Sequence, residues 1–130
     1  GEHKAMAGFS LGTYRQTLSA TAGNGGAAAV ANPEGRTVYI TACLLNVTTK
    51  TAGACTLNAG VAANASTGSD NLIDGMDVNA ATGVFSNLLN PGSNGKAGQP
   101  WGAGQFVTVT EASGAIAGLA GELLIEYITV

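Results

Sequence analysis

Charge is scarce in this chain. Only 10% of its 130 residues are Asp, Glu, Lys or Arg, where an ordinary globular domain carries about a quarter. The basic residues Lys4, Arg15, Arg36, Lys50 and Lys96 are scattered, and the formal net charge is −3. No stripe exists to neutralise phosphates, so nucleic acid is not an expected partner. The single histidine, His3, lies near the N-terminus. A Ser-His-Asp hydrolase needs that imidazole held by packing and by a third group, which a chain end does not supply. There is no G-x-S-x-G elbow, no glycine loop ending in G-K-[ST], and no glycine fingerprint opening a helix. One His and two Cys leave Cys/His metal sites short of ligands. No apolar run reaches the roughly 18 residues of a membrane helix. These absences predict a protein that is not an enzyme, with no cofactor and no membrane partner.

Cys43 and Cys55 are the only cysteines. With a turn near Thr51, Cys55 would lie opposite Val47 rather than Cys43, an offset too great for a disulfide. Two buried thiols acting as small apolar residues are expected, in keeping with cytoplasmic synthesis.

Glycine, by contrast, is abundant, at 20 residues, and Ala, Thr, Asn and Ser fill much of the remainder. Gly, Thr, Asn and Ser all rank well below Ala in helix propensity; the mixture suits short strands joined by many turns. The length fits one domain. The stretch Val38–Val61, VYITACLLNVTTKTAGACTLNAGV, reads as two strands folded back on each other about Thr49–Gly53. Val38, Ile40, Ala42 and Leu44 alternate with Tyr39, Thr41, Cys43, Leu45 and Val47, so the first strand is expected to be central and covered on both faces. Cys55, Leu57, Ala59 and Val61 form the buried face of the second.

Residues 1–12, GEHKAMAGFSLG, read as a flexible N-terminal arm with Phe9 and Leu11 as anchors against a neighbour, and residues 13–130 as the domain. Thr13–Ala22 is a candidate first strand. Ala27–Ala31 is short and apolar, and Asn32-Pro33-Glu34-Gly35 is a turn. Ser69–Gly75 carries an N-cap and a closing glycine, predicting one helical turn. Val84-Phe85 and Phe106–Thr110 read as strands, Glu111–Gly114 as a turn, and Leu123–Val130 as a terminal strand, with Ile116 and Leu119 beneath. The fold class is all-β: an antiparallel β-sandwich or jelly roll of about seven to eight strands.

Two constellations invite a sharper reading. Asp70, Asp74 and Asp77, beside Asn71 and Asn79, could offer oxygen ligands to Ca²⁺. The spacing misses the alternate-residue pattern of an EF-hand, and capping and turn formation account for the same residues. Trp101, in the glycine-rich GQPWGAGQ, is either an anchor in a core or interface or a carbohydrate platform.

The segment Ala54–Lys96, with CTLNAGVAANASTGSDNLIDGMDVNAATGVFSN at its heart, and the ending GELLIEYITV resemble a group of small tailed-bacteriophage proteins. These look like head decoration or cement proteins. The resemblance implies a β-sandwich or jelly-roll domain on the outer capsid surface of a virion, made in the host cytoplasm, whose partner is the major capsid protein. It implies no catalytic residues. A homo-oligomer, dimer or trimer, is expected, with Phe9, Leu11, Tyr14 and Trp101 as contact residues. The alternative is a receptor- or glycan-binding domain of a phage fibre or spike, with Trp101 as its platform.

Overall fold

The computed structural model describes residues 10–20 and 26–129. Nine strands run in chain order: β1 (Ser10–Thr17), β2 (Ala28–Ala31), β3 (Val38–Thr49), β4 (Cys55–Ala62), β5 (Ile73–Asp77), β6 (Gly83–Ser86), β7 (Gln99–Trp101), β8 (Phe106–Gly114) and β9 (Ala120–Thr129). The described residues contain no helix, so none is long and apolar enough to cross a membrane. One sheet has the order β1-β9-β3-β6, with β7 also paired to β3; the other has the order β2-β8-β4-β5. Every strand pair is antiparallel.

The expected hairpin between β3 and β4 does not form. β3 pairs with β9 on one edge and with β6 and β7 on the other. β4 lies in the other sheet, between β8 and β5. Residues 50–54 therefore step between sheets, which in face-to-face packing lie about 10 Å apart. The step is fastened at Thr51 and Ala52: Thr51 N–H donates to Val78 O at 3.1 Å and Ala52 N–H to Ala117 O at 2.9 Å, and Asn79 Nδ2 donates to Thr51 O at 2.9 Å. The alternation of β4 alone is equally compatible with a neighbour beside it or a sheet opposite it. The partners that decide, β8 and β9, lie some 50 residues further on.

β3 also departs from the two-faced burial expected of it. Its register against β9 slips between Ile40 and Ala42. Below the slip Val38 and Ile40 face the core; above it Cys43, Leu45 and Val47 do. One extra residue moves the inward set from even to odd positions, which is why both faces looked apolar in the sequence.

The core lies between the sheets. Leu57, Ala59, Val107 and Val109 come from one side, and Ile40, Leu45, Leu123 and Ile125 from the other. Ile116 and Leu119 close one end, as expected. Asn32 shapes the entry to β3: its Oδ1 accepts from the N–H of Glu34 and Gly35 at 2.8 and 3.2 Å, and Gly35 takes φ +71°, the left-handed region that glycine enters without steric cost.

Three further boundaries move. Ser69–Gly75 holds no helical turn; Leu72 and Ile73 are fully buried and Ile73 opens β5. Asn71 decides this by imitating a strand: its Oδ1 accepts from Val61 N–H at 2.8 Å and its Nδ2 donates to Val61 O at 3.2 Å. Glu111–Gly114 extends β8 rather than turning, paired with Cys55–Leu57 of β4. Ser10, Leu11 and Gly12, expected in the arm, are the first residues of β1 and pair with Thr129, Ile128 and Tyr127. The rest of the expected arm, residues 1–9 including Phe9, lies outside the described residues.

Candidate contact surface

The outer face of the β1-β9-β3 sheet is built from the alternate residues that the core does not take. Register places Leu11, Ile128, Tyr39 and Pro100 in one row across β1, β9, β3 and β7. Arg15, Leu124 and Leu44 form another row, and Thr17, Glu122, Asn46 and Val84 a third. Leu11, Tyr39 and Val84 are exposed on this face. Its charges are few: Arg15 pairs with Glu122 at 3.5 Å, and Glu126 accepts from Thr41 Oγ1 at 3.1 Å.

At the end of β6 the chain makes a turn that presents two leucines to solvent, Leu88 at 58% exposure and Leu89 at 82%. The turn is fixed by its polar neighbours. Ser86 Oγ accepts from the N–H of Leu88 and Leu89 at 3.3 and 3.0 Å. Asn90 Oδ1 accepts from Ser86 N–H at 3.0 Å, and Asn90 N–H returns to Ser86 O at 2.7 Å. Beneath them Asn87 is buried, with 1% exposure. Its Oδ1 accepts from Cys43 N–H and its Nδ2 donates to Lys96 O, both at 2.9 Å. Exposed leucine is ordinary on a surface; two adjacent ones on a turn with this many fixed donors form a rigid apolar projection. The sequence carries a signal for it: an apolar pair flanked by Ser86, Asn87 and Asn90, residue types that bond nearby backbone.

The expected contact residues separate. Leu11 is 74% exposed and Tyr14 is just exposed. Trp101 is fully buried. Its ring packs edge-on against Tyr127 with centroids 6.1 Å apart, and Nε1–H donates to Gln105 O at 3.1 Å. It is a core residue with no face to offer a partner or a sugar ring. The reason is β7: Gln99–Trp101 pairs with Val38–Ile40, so the stretch read as a connection is a strand whose last residue points inward.

Asp70, Asp74 and Asp77 are not gathered. Asp70 Oδ2 accepts from Asn94 Nδ2 at 2.9 Å and Asp74 Oδ2 from Asn94 N–H at 3.2 Å. Asp77 Oδ1 instead caps the following turn through the N–H of Asn79 and Ala80. Among the described residues no three His, Cys, Asp or Glu side chains group as a metal site. Cys43 and Cys55 are buried and unpaired. Burial pushes the Cys43 thiol up to about 12. Burial also raises the Cys55 thiol, with the Glu111 and Asp77 charges adding to it. Comparison with protein-family models, curated proteins and solved structures finds no match to the chain.

Proposed function

We propose that this chain is a structural virion protein, a decoration or cement protein that binds the outer surface of a phage head and ties neighbouring capsomers together. The observation that carries the reading is the Leu88–Leu89 turn, an apolar projection held by Ser86, Asn87 and Asn90. Its rigidity means that little ordering entropy remains to be lost on docking. The low-charge outer face around Leu11, Tyr39 and Val84 suits contact with a protein surface, since interface centres are depleted of charge. Bound only to the assembled lattice, such a protein stabilises it by mass action. Many copies, each touching two or more subunits of the major capsid protein, gain further from effective concentration. The reading includes a homo-oligomer, and Leu11 and Tyr14 as contact residues.

The proposed architecture is a jelly roll. If β6 and β7, which share one edge of β3, count as a single interrupted strand, eight strands remain. Four pairings then join first to last along a folded ribbon: β1 with β9, β2 with β8, β3 with β6/β7, and β4 with β5. The β9–β3 and β8–β4 pairings close the wrap, giving the two four-stranded sheets of that fold. The fibre-tip alternative has lost its platform with the burial of Trp101.

Imaging purified particles with and without this protein tests the reading. Added density above the shell at capsomer boundaries is expected, together with heads that resist heat better. Identical maps and identical head stability would overturn it.

A further inference from the structure

Among the described residues the two sheets end on four edges, β1, β6/β7, β2 and β5, and three carry features that discourage further pairing. β2 has four residues and runs directly into Asn32-Pro33. β5 has five, with a register slip against β4 and two aspartates, Asp74 and Asp77. The β6/β7 edge is split into pieces of four and three residues, with Pro100 in the second. Short length, bulges, charged groups and proline are the usual protections of an edge. β1 has only the single charge of Arg15, which is paired with Glu122. Its eight residues, SLGTYRQT, pair with β9 without a slip and contain no proline, no lysine and no acidic group. It also overhangs the second sheet, so that Tyr14 is exposed although it points to the inner side, opposite Ile125.

The direction of its free backbone groups is fixed by the residues that follow it. Leu18 N–H donates to Gly121 O on the β9 side, whereas Ser19 N–H donates the other way, to Ala27 O. Lateral direction alternates along an antiparallel strand. Leu11, Thr13, Arg15 and Thr17 therefore turn their N–H and C=O groups away from β9. Among the described residues no strand pairs with them.

We propose that β1 is a self-association edge, taking β1 of a second copy antiparallel across a two-fold axis through Thr13. This rests on the homo-oligomer part of the reading above and names its contact. Facing residues of an antiparallel pair must project from the same side of the sheet, so the axis passes through a residue and not between two. An axis through Thr13 sets Leu11 against Arg15 of the second copy and Gly12 against Tyr14 of the second copy. The two Arg15 groups lie four residues apart along the strand, about 13 Å, beyond the roughly 10 Å screening length at 0.1 M salt. An axis through Tyr14 would bring them to a diagonal contact of about 7–8 Å. Thr13 and Tyr14 are the two central residues of β1, and between them charge favours Thr13. The result is one continuous sheet across both copies, with the two Leu88–Leu89 turns on its outer margins.

Cysteine cross-linking of the full chain tests both contact and register. Facing residues of a hydrogen-bonded antiparallel pair have Cα atoms about 5.5 Å apart, within disulfide range. Thr13→Cys is expected to run as a covalent dimer on non-reducing gels after mild oxidation, and Tyr14→Cys to remain largely uncoupled. The wild-type chain should show twice its 12.7 kDa mass by light scattering, and Thr13→Pro should return it to the single-chain mass with an unchanged circular-dichroism spectrum. A monomeric wild type would overturn the proposal, as would preferential coupling of Tyr14→Cys. A trimer in which Thr13→Cys does not couple would overturn the β1 contact while leaving self-association and capsid binding intact.

Discussion

Gly12 of β1 lies directly against the ring of Tyr127, so close that a Cβ at position 12 would overlap the phenol. Tyr127 cannot easily yield. Its hydroxyl donates to Glu34 Oε2 at 2.8 Å, and its ring meets Trp101 edge-on. The absence of a side chain on β1 is therefore what lets the edge strand close over the aromatic pair. Gly12→Ala is expected to cost about 1–3 kcal/mol, the usual range for overpacking. Urea denaturation at neutral pH measures it.

Asn87 ties the leucine turn to the core. Replacing it with Ala leaves the buried Cys43 N–H without its side-chain partner and removes a half-buried bond to the carbonyl of the exposed Lys96. Leaving the Cys43 amide unsatisfied costs about 1–3 kcal/mol, so Asn87→Ala should destabilise the fold by that order. Hydrogen exchange at the Cys43 amide should rise with it. Unchanged stability would show that the turn is not fixed from below.

Alkaline pH should weaken the fold. Burial, followed by the hydrogen bond and charge of Glu34, raises Tyr127 from 10.0 to about 12, and burial raises Cys43 from 9.0 to about 12. Both groups keep their protons longer when folded. The associated stability is complete below pH 9 and is lost as pH climbs from there towards 12, because the unfolded chain releases protons first. Each such proton changes the folding constant by about tenfold per pH unit. Denaturant midpoints at pH 8, 10 and 11 are expected to fall in that order, and in the native protein at pH 8 neither thiol should react with a disulfide reagent.

Trp101 provides a spectroscopic check on the core. Its emission is expected to be blue-shifted and poorly quenched by acrylamide, and to stay unchanged on adding glycans. Trp101→Ala should cost about 3–5 kcal/mol, as for other buried aromatics.

Local chemistry made much of this legible from the sequence. Alternation revealed the inward face of β4, Leu123–Val130 read as the terminal strand that β9 is, and Asn32-Pro33-Glu34-Gly35 announced its own turn. Sheet assignment was another matter. Whether β4 lies beside β3 or across from it depends on β8 and β9, and no pattern within residues 38–61 encodes that choice. The slip at Thr41 hid in a strand that read as apolar on both sides. Ser69–Gly75 has the residue types of a capped helical turn, but the Asn71 side chain is equally able to serve a turn or, as here, to imitate a strand. Trp101 misled for a related reason: glycines on both sides suggested a loop, yet three residues of pairing suffice to point it inward. Leu88 and Leu89 were visible as apolar residues, and Ser86 and Asn90 signal their turn locally; the third support, Asn87, acts through the distant Cys43 and shows only in three dimensions.

The most direct measurement is co-sedimentation of the purified protein with undecorated heads, comparing wild type with the double variant Leu88→Ser, Leu89→Ser. Both side chains are largely exposed, so the thermal midpoint should move little. Saturable binding by the wild type, with occupancy at least tenfold lower for the stably folded variant, is the expected result. Equal occupancy of the two proteins, or no binding by either, would contradict it.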